Sequence, residues 1–141
     1  MGLSSAHPVP VGFRLTAVAD TVLRYVVTAV CAASAGIHAA LIGPHLAEGL
    51  PIGLGFAAAT AVLALAALAV RQPRHDPWAP GVAAAALCLI AIAYVLSRSS
   101  GIPLLIGRAE ELDPLGIATT SAEIVGAVAS AALLLPRKDR A

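Results

Sequence analysis

Long apolar runs separated by short polar breaks dominate the chain. Four stretches, residues 22–42, 50–70, 79–96 and 115–135, approach or reach the roughly 20 residues that cross ~30 Å of hydrocarbon at a helical rise of 1.5 Å. The second has no charge and only Thr60 as a polar side chain, whereas the first carries His38 and the fourth carries Glu123. Their ends are punctuated by Gly43-Pro44, by Gln72-Pro73 with Pro77 and Pro80, by Gly101 and Pro103, and by Asp113-Pro114, all turn-forming combinations. The pattern predicts an all-α fold, a transmembrane four-helix bundle of antiparallel up-down topology. The bundle occupies residues 22–135, after an N-terminal cytoplasmic segment 1–21 and before a basic cytoplasmic tail 136–141. Residues 1–13, with Ser4, Ser5, Pro8 and Pro10, read as unstructured.

Composition sharpens the class. Hydrophobic residues make up 59% of the 141 and charged ones 12%, against about 25% charge in a soluble domain. The lipid bilayer is therefore the first partner. Nine Lys plus Arg against eight Asp plus Glu leave a net charge of +1, which supplies no basic field for nucleic acid. Cys31 and Cys88 form no C-x-x-C pair, and a cysteine in an apolar run behaves as a small hydrophobe. The usual signatures of dinucleotide, nucleotide, zinc-peptidase and serine-hydrolase sites do not occur, which argues against an enzyme and leaves no cofactor implied by a specific motif.

Orientation follows from the basic residues. Arg14, Arg24, Arg71, Arg74, Arg137, Lys138 and Arg140 fall on one side of the bundle, and only Arg98 and Arg108 on the other. The positive-inside rule then puts both termini in the cytoplasm, with a tight turn holding His45 and Glu48 and a longer 97–114 loop outside. Tyr25 and Trp78 occupy positions suited to interfacial anchors. Arg14, an apolar run and Ala33-Ser34-Ala35 also imitate a cleavable signal peptide, although Arg24 interrupts that run and a cut after Ala35 would discard most of the first span.

The polar residues inside the spans are few. Arg24, Cys31, His38 and His45 recur at intervals of seven, with Thr28 and Ser34 between them, so they share one helical stripe that should face the bundle interior. Ala32, Gly36 and Ala40 beside it form a small-xxx-small surface suited to close helix contact. His45 follows Pro44, and a turn there would take it off the stripe. Glu123 lies about 12 Å below the outer edge of the fourth span, where an acid must be protonated, paired or cation-bound. Its helix face, Thr119, Thr120, Gly126, Ala127 and Ser130, is small and polar.

Each of these residues has a structural reading beside a functional one. His38 serves as a helix-packing group or as a ligand, and Glu123 fixes helix register or acts as a functional acid. Arg98 snorkels to the interface, and Glu110, Glu111 and Asp113 form a solvated loop. Topology allows His38, Tyr94, Arg98, Thr119 and Glu123 to gather in the outer half of the bundle, roofed by His45 and Glu48. A metal held by His38, His45 and Glu48 is chemically admissible. A bis-histidine haem is disfavoured because His38 is the only histidine well inside a span. Two functional classes follow: an integral membrane protein that binds or moves an ion or small ligand at this cluster, or a non-catalytic structural or accessory subunit of a larger membrane complex. A protomer this small would need to form a homo-oligomer to enclose a pathway.

Ser34-Ala35-Gly36-Ile37-His38-Ala39-Ala40-Leu41, Pro44-His45-Leu46, Ser97-Arg98-Ser99-Ser100-Gly101-Ile102-Pro103 and Ala122-Glu123 together make residues 22–135 resemble a group of uncharacterised bacterial four-span membrane proteins. The resemblance implies a shared fold and a shared outer-side site, and carries no activity or cofactor; the Ala-rich helices and the preference for Arg over Lys suggest a GC-rich bacterial genome and hence a bacterial cytoplasmic membrane.

Overall fold

A computed structural model describes residues 11–72, 77–102 and 109–135, with side chains from residue 17 onward. The N-terminal residues 1–10, the basic tail 136–141, Pro73, Pro103, and the Arg74 and Arg108 that enter the orientation count lie outside the described residues. The fold is an all-α four-helix bundle built from α1 (Val11–Glu48), α2 (Leu50–Arg71), α3 (Trp78–Ser99) and α4 (Pro114–Leu134). All four helices are long and apolar enough to cross a membrane, the first over Ala17–Glu48.

Three pairs of helices show how the chain folds back on itself. At one end of α1 and α2, Arg24 reaches Val70 and Gln72, and at the other Leu46 fills the space beside Gly53. Between α1 and α4, Val30 lies against Gly126 while Ser34 meets Glu123. Between α3 and α4, Leu87 lies against Gly126, Tyr94 against Gly116, and Arg98 against Asp113. In every pair, numbers rise on one helix as they fall on its neighbour.

The first helix departs from expectation at both ends. It begins at Val11, so residues 11–13, expected to be unstructured, are helical, and the helix covers the second half of the N-terminal segment 1–21; past Gly12 this stretch contains no glycine or proline to stop it. Since Arg24 stands level with the end of α2, the turns before it extend beyond that end. The helix also runs through Pro44 to Glu48, and the break at Gly43-Pro44 does not occur. Proline disfavours helical geometry in the residue before it partly through that residue's Cβ, which Gly43 lacks. Proline also removes a backbone donor and loosens the local ladder, and His45 Nδ1 lies 2.9 Å from the Leu41 carbonyl oxygen in this turn. The connection to α2 is the single residue Gly49, whose N–H donates to the His45 carbonyl while its own carbonyl accepts from Gly53.

Capping follows the local chemistry of each end. Asp113 Oδ1 accepts from Gly116 N at 2.6 Å, with Pro114 in the first turn of α4, the usual pairing of an acidic N-cap with a proline that has no donor to satisfy. Gly101, at φ 75°, follows the end of α3, the left-handed position that glycine fills without strain. Arg24 donates to the Val70 carbonyl at 3.1 Å and to Asp20 at 2.9 Å, so α1 caps the last turn of α2 with a side chain.

The packed core joins Val27, Cys31 and Ala35 of α1, Leu63, Ala66, Ala67 and Val70 of α2, Ala83 and Leu87 of α3, and Ala127 and Ala129 of α4. Tyr25 and Trp78 are exposed, as interfacial anchors would be. Ala32, Gly36 and Ala40, expected at a close helix contact, are exposed instead. Close approach within the bundle occurs at Gly53 and Gly126, where an added Cβ would collide with Leu46 and with Val30 and Leu87.

Candidate functional site

Glu123 is 1% exposed in the middle of α4, and Ser34, buried on α1, donates its hydroxyl to Oε1 at 2.5 Å. The expectation that the Glu123 face is interior holds, since Thr120, Gly126, Ala127 and Ser130 are buried with it. Small residues let α4 press against α1, and that approach brings the serine within reach of the acid. Among the described residues Ser34 is the only hydrogen-bond partner of the carboxyl group. A carboxyl group with one neutral partner in hydrocarbon is far from satisfied, because an isolated buried charge calls for pairing or neutralisation.

His38 follows one turn after Ser34. Its Nδ1 lies 2.9 Å from the Ser34 carbonyl oxygen and 3.4 Å from the Ser34 hydroxyl. A carbonyl can only accept, so Nδ1 carries the proton, and in the neutral ring the lone pair is on Nε2. His45 repeats this anchoring on the Leu41 carbonyl. Both rings meet Phe56 of α2, His38 tilted at 5.4 Å between centroids and His45 stacked at 3.9 Å. Because α1 continues past Pro44, His45 stays on the stripe with His38. Helix α1 ends at Glu48, which places His38 about 15 Å from that end at helical rise, not the shallow position that a break at residue 43 would give.

Arg98 closes the site from α3. Its guanidinium pairs with Glu110 at 2.9 Å and Asp113 at 3.0 Å and lies 5.0 Å from the Tyr94 ring centroid, within cation–π range. Arg98 is thus held in an ion-pair cluster, and Glu110 and Asp113 are not merely solvated; Glu111 is exposed. Asp113 divides its oxygens, one capping α4 and the other holding Arg98. The Glu110 N–H donates to the Ser97 carbonyl at 2.9 Å, tying the approach to α4 onto the end of α3. Gly116 is required here, since a Cβ would strike the Tyr94 ring and the Asp113 carboxylate.

These parts surround one cavity of about 460 Å³ walled by all four helices, within the range of small-molecule sites. His38, Tyr94, Arg98, Thr119 and Glu123 all line it, and His45 joins them. Glu48 does not line it, and among the described residues no group of three His, Cys, Asp or Glu side chains could hold a metal ion. The His38, His45 and Glu48 set is thus not assembled as a metal centre.

Sequence reasoning missed Phe56 and the pairing roles of Ser34, Glu110 and Asp113. Phe56 is the only aromatic residue in α2, and Asp113-Pro114 is a helix-start signature; both were available signals. The Ser34–Glu123 pairing depends on helix rotation, which spacing alone does not set. No protein-family model, curated protein or solved structure matches the chain, so the geometry carries the functional argument.

Proposed function

We propose that this chain binds a small ligand or ion in the outer half of an antiparallel membrane bundle, with both termini in the cytoplasm of a bacterium. The orientation rests on the uneven distribution of Lys and Arg, and the antiparallel reading on the reversed order of contacts between neighbouring helices. One observation carries the binding role: Glu123, 1% exposed and hydrogen-bonded only to Ser34 among the described residues, lines a cavity of about 460 Å³. A buried acid beside open space is an expensive arrangement for packing alone.

A second reading, a structural or accessory subunit, draws on the same Ser34–Glu123 bond, which joins α1 to α4 in mid-bundle and could fix their register. Gly55 separates the two readings. It lines the cavity, and a Cβ added there meets nothing within 4 Å, so Gly55→Phe adds bulk at the cavity wall from a backbone position that tolerates a side chain. Saturation-transfer NMR in mild detergent with hexylammonium, hexanol and hexanoate provides the test. At least one probe should bind the wild-type protein and lose its signal in Gly55→Phe. Binding by none of the three, or binding that Gly55→Phe leaves unchanged, would overturn the reading and leave the subunit role.

A further inference from the structure

We infer that the cavity takes a protonated primary amine with a short apolar body, its ammonium group on Glu123 and its body against Phe56. The inference rests on the binding role proposed above and adds the chemical class of the ligand.

Most of the donors are committed. Ser34 gives its hydroxyl hydrogen to Glu123, Ser97 to the Tyr94 carbonyl, Thr119 to the Leu115 carbonyl, and Tyr94 to the Asp113 carbonyl at 3.4 Å. The terminal nitrogens of Arg98 hold Glu110 and Asp113, and its Nε, although unpartnered, is buried. The acceptors remain open. Glu123 has spent one oxygen on Ser34, and His38 and His45 each set Nδ1 on a backbone carbonyl of their own helix, the arrangement that makes Nε2 the acceptor of an imidazole with one N–H. The Thr120 hydroxyl, which also lines the cavity, can accept as well as donate. The wall is therefore rich in acceptors and poor in donors, and the matching ligand is a donor.

Charge gives the same answer. Glu110, Asp113 and Glu123 line the cavity with Arg98 as its one guanidinium, so a bound anion would lie beside three acidic side chains, two of which already occupy the arginine. A bare metal ion fits no better. Hard cations take six or more oxygen ligands, whereas Ile37, Leu41, Ile52, Ile90 and Ala93 make much of the wall aliphatic. An ammonium group concentrates its three donors at one end, and an attached apolar chain suits the rest of the wall. Phe56 lines the cavity with His45 stacked on its ring, and the apolar ring surface that the histidines leave uncovered is what that chain can meet.

The six-carbon probes resolve the inference. Hexylammonium should bind the wild-type protein at least about tenfold more tightly than hexanol, and hexanoate should not bind. Hexyltrimethylammonium, which keeps the charge and removes the N–H donors, should bind more weakly than hexylammonium. Glu123→Gln keeps an oxygen to accept from Ser34 but loses the charge, and should weaken hexylammonium at least about thirtyfold. The comparison among probes on the wild-type protein needs no variant, so it holds even if Glu123→Gln fails to fold. Hexanol or hexanoate binding as tightly as hexylammonium, with Gly55→Phe still blocking it, would overturn the amine while sparing the binding site. Equal binding of hexyltrimethylammonium would overturn the primary-amine assignment. Binding of no probe would bring down both.

Discussion

The two halves of this bundle are made from the same four helices and are packed in opposite ways. In the half that holds residues 27–31, 63–70, 83–87 and 126–130, small and branched side chains pack closely, with Val27, Cys31, Leu63, Val70, Ala83 and Leu87 at zero exposure. In the other half the same helices stand apart around a cavity, and the groups buried there are polar: Ser97, Thr120 and Glu123. Gly126 marks the boundary, letting Val30 and Leu87 pack against α4 one turn beyond Glu123. Association in lipid depends on close packing and interhelical hydrogen bonds, since hydrocarbon does not drive apolar helices together. One half thus supplies the rigidity that the other half, with open space and an under-paired acid, does not.

The largest expected effect is a break in the closed half. Leu87→Ala removes a fully buried side chain that touches Gly126 and should destabilise the bundle by about 2 to 3 kcal/mol, the lower part of the range for soluble cores. The lower part applies because helices separating in lipid regain apolar surroundings. Thermal unfolding in mild detergent measures it, and an unchanged midpoint would show that this half is not what holds the helices together. Gly126→Ala comes next, at about 1 to 2 kcal/mol of overpacking, because its Cβ would collide with Val30 and Leu87. The same unfolding measurement applies.

A smaller change is expected where the open half is closed off. Arg98→Gln releases Glu110 and Asp113, pairs that are partly exposed, so the loss of stability should stay near 1 kcal/mol after solvent screening. Its clearer signature is local: limited proteolysis should cut faster at residues 109–113. Unchanged cleavage would mean that the Glu110 N–H bond to Ser97 holds that segment without the arginine.

The difference between the halves also sets what could be read from sequence. Apolar length and turn chemistry were enough to locate α2, α3 and α4 to within a few residues, because those signals are local. The interior stripe through Cys31, Ser34 and His38 was legible for the same reason, as was the polar face of Glu123. The continuation of α1 through Pro44 was not. It turns on Gly43 lacking a Cβ and on a side chain of its own helix at the loosened turn, and a proline ordinarily signals a stop. The Arg98 cluster was hidden for a different reason: residue 98 meets residues 110 and 113 only because the chain returns, and a charged loop is ordinarily solvated. The small-residue surface at Ala32, Gly36 and Ala40 misled because packing motifs say nothing about which of two small faces is used.

That last error leads to the smallest expected effect and the cleanest contrast with Gly126. Gly36 lies mid-helix on α1, and a Cβ added to it meets nothing within 4 Å. Glycine in a helix interior is less favourable than alanine by roughly 0.5 to 1 kcal/mol, so Gly36→Ala should leave stability unchanged or raise it by a fraction of that amount in lipid. Gly126→Ala, chemically the same substitution on a neighbouring helix, should lower it. Measured side by side in the same detergent, Gly126→Ala should therefore lower the unfolding midpoint while Gly36→Ala leaves it unchanged or raises it. If Gly36→Ala instead destabilises the protein, the exposed face of α1 is covered in the assembled molecule, and the small residues at positions 32, 36 and 40 form a contact between chains rather than a surface against lipid.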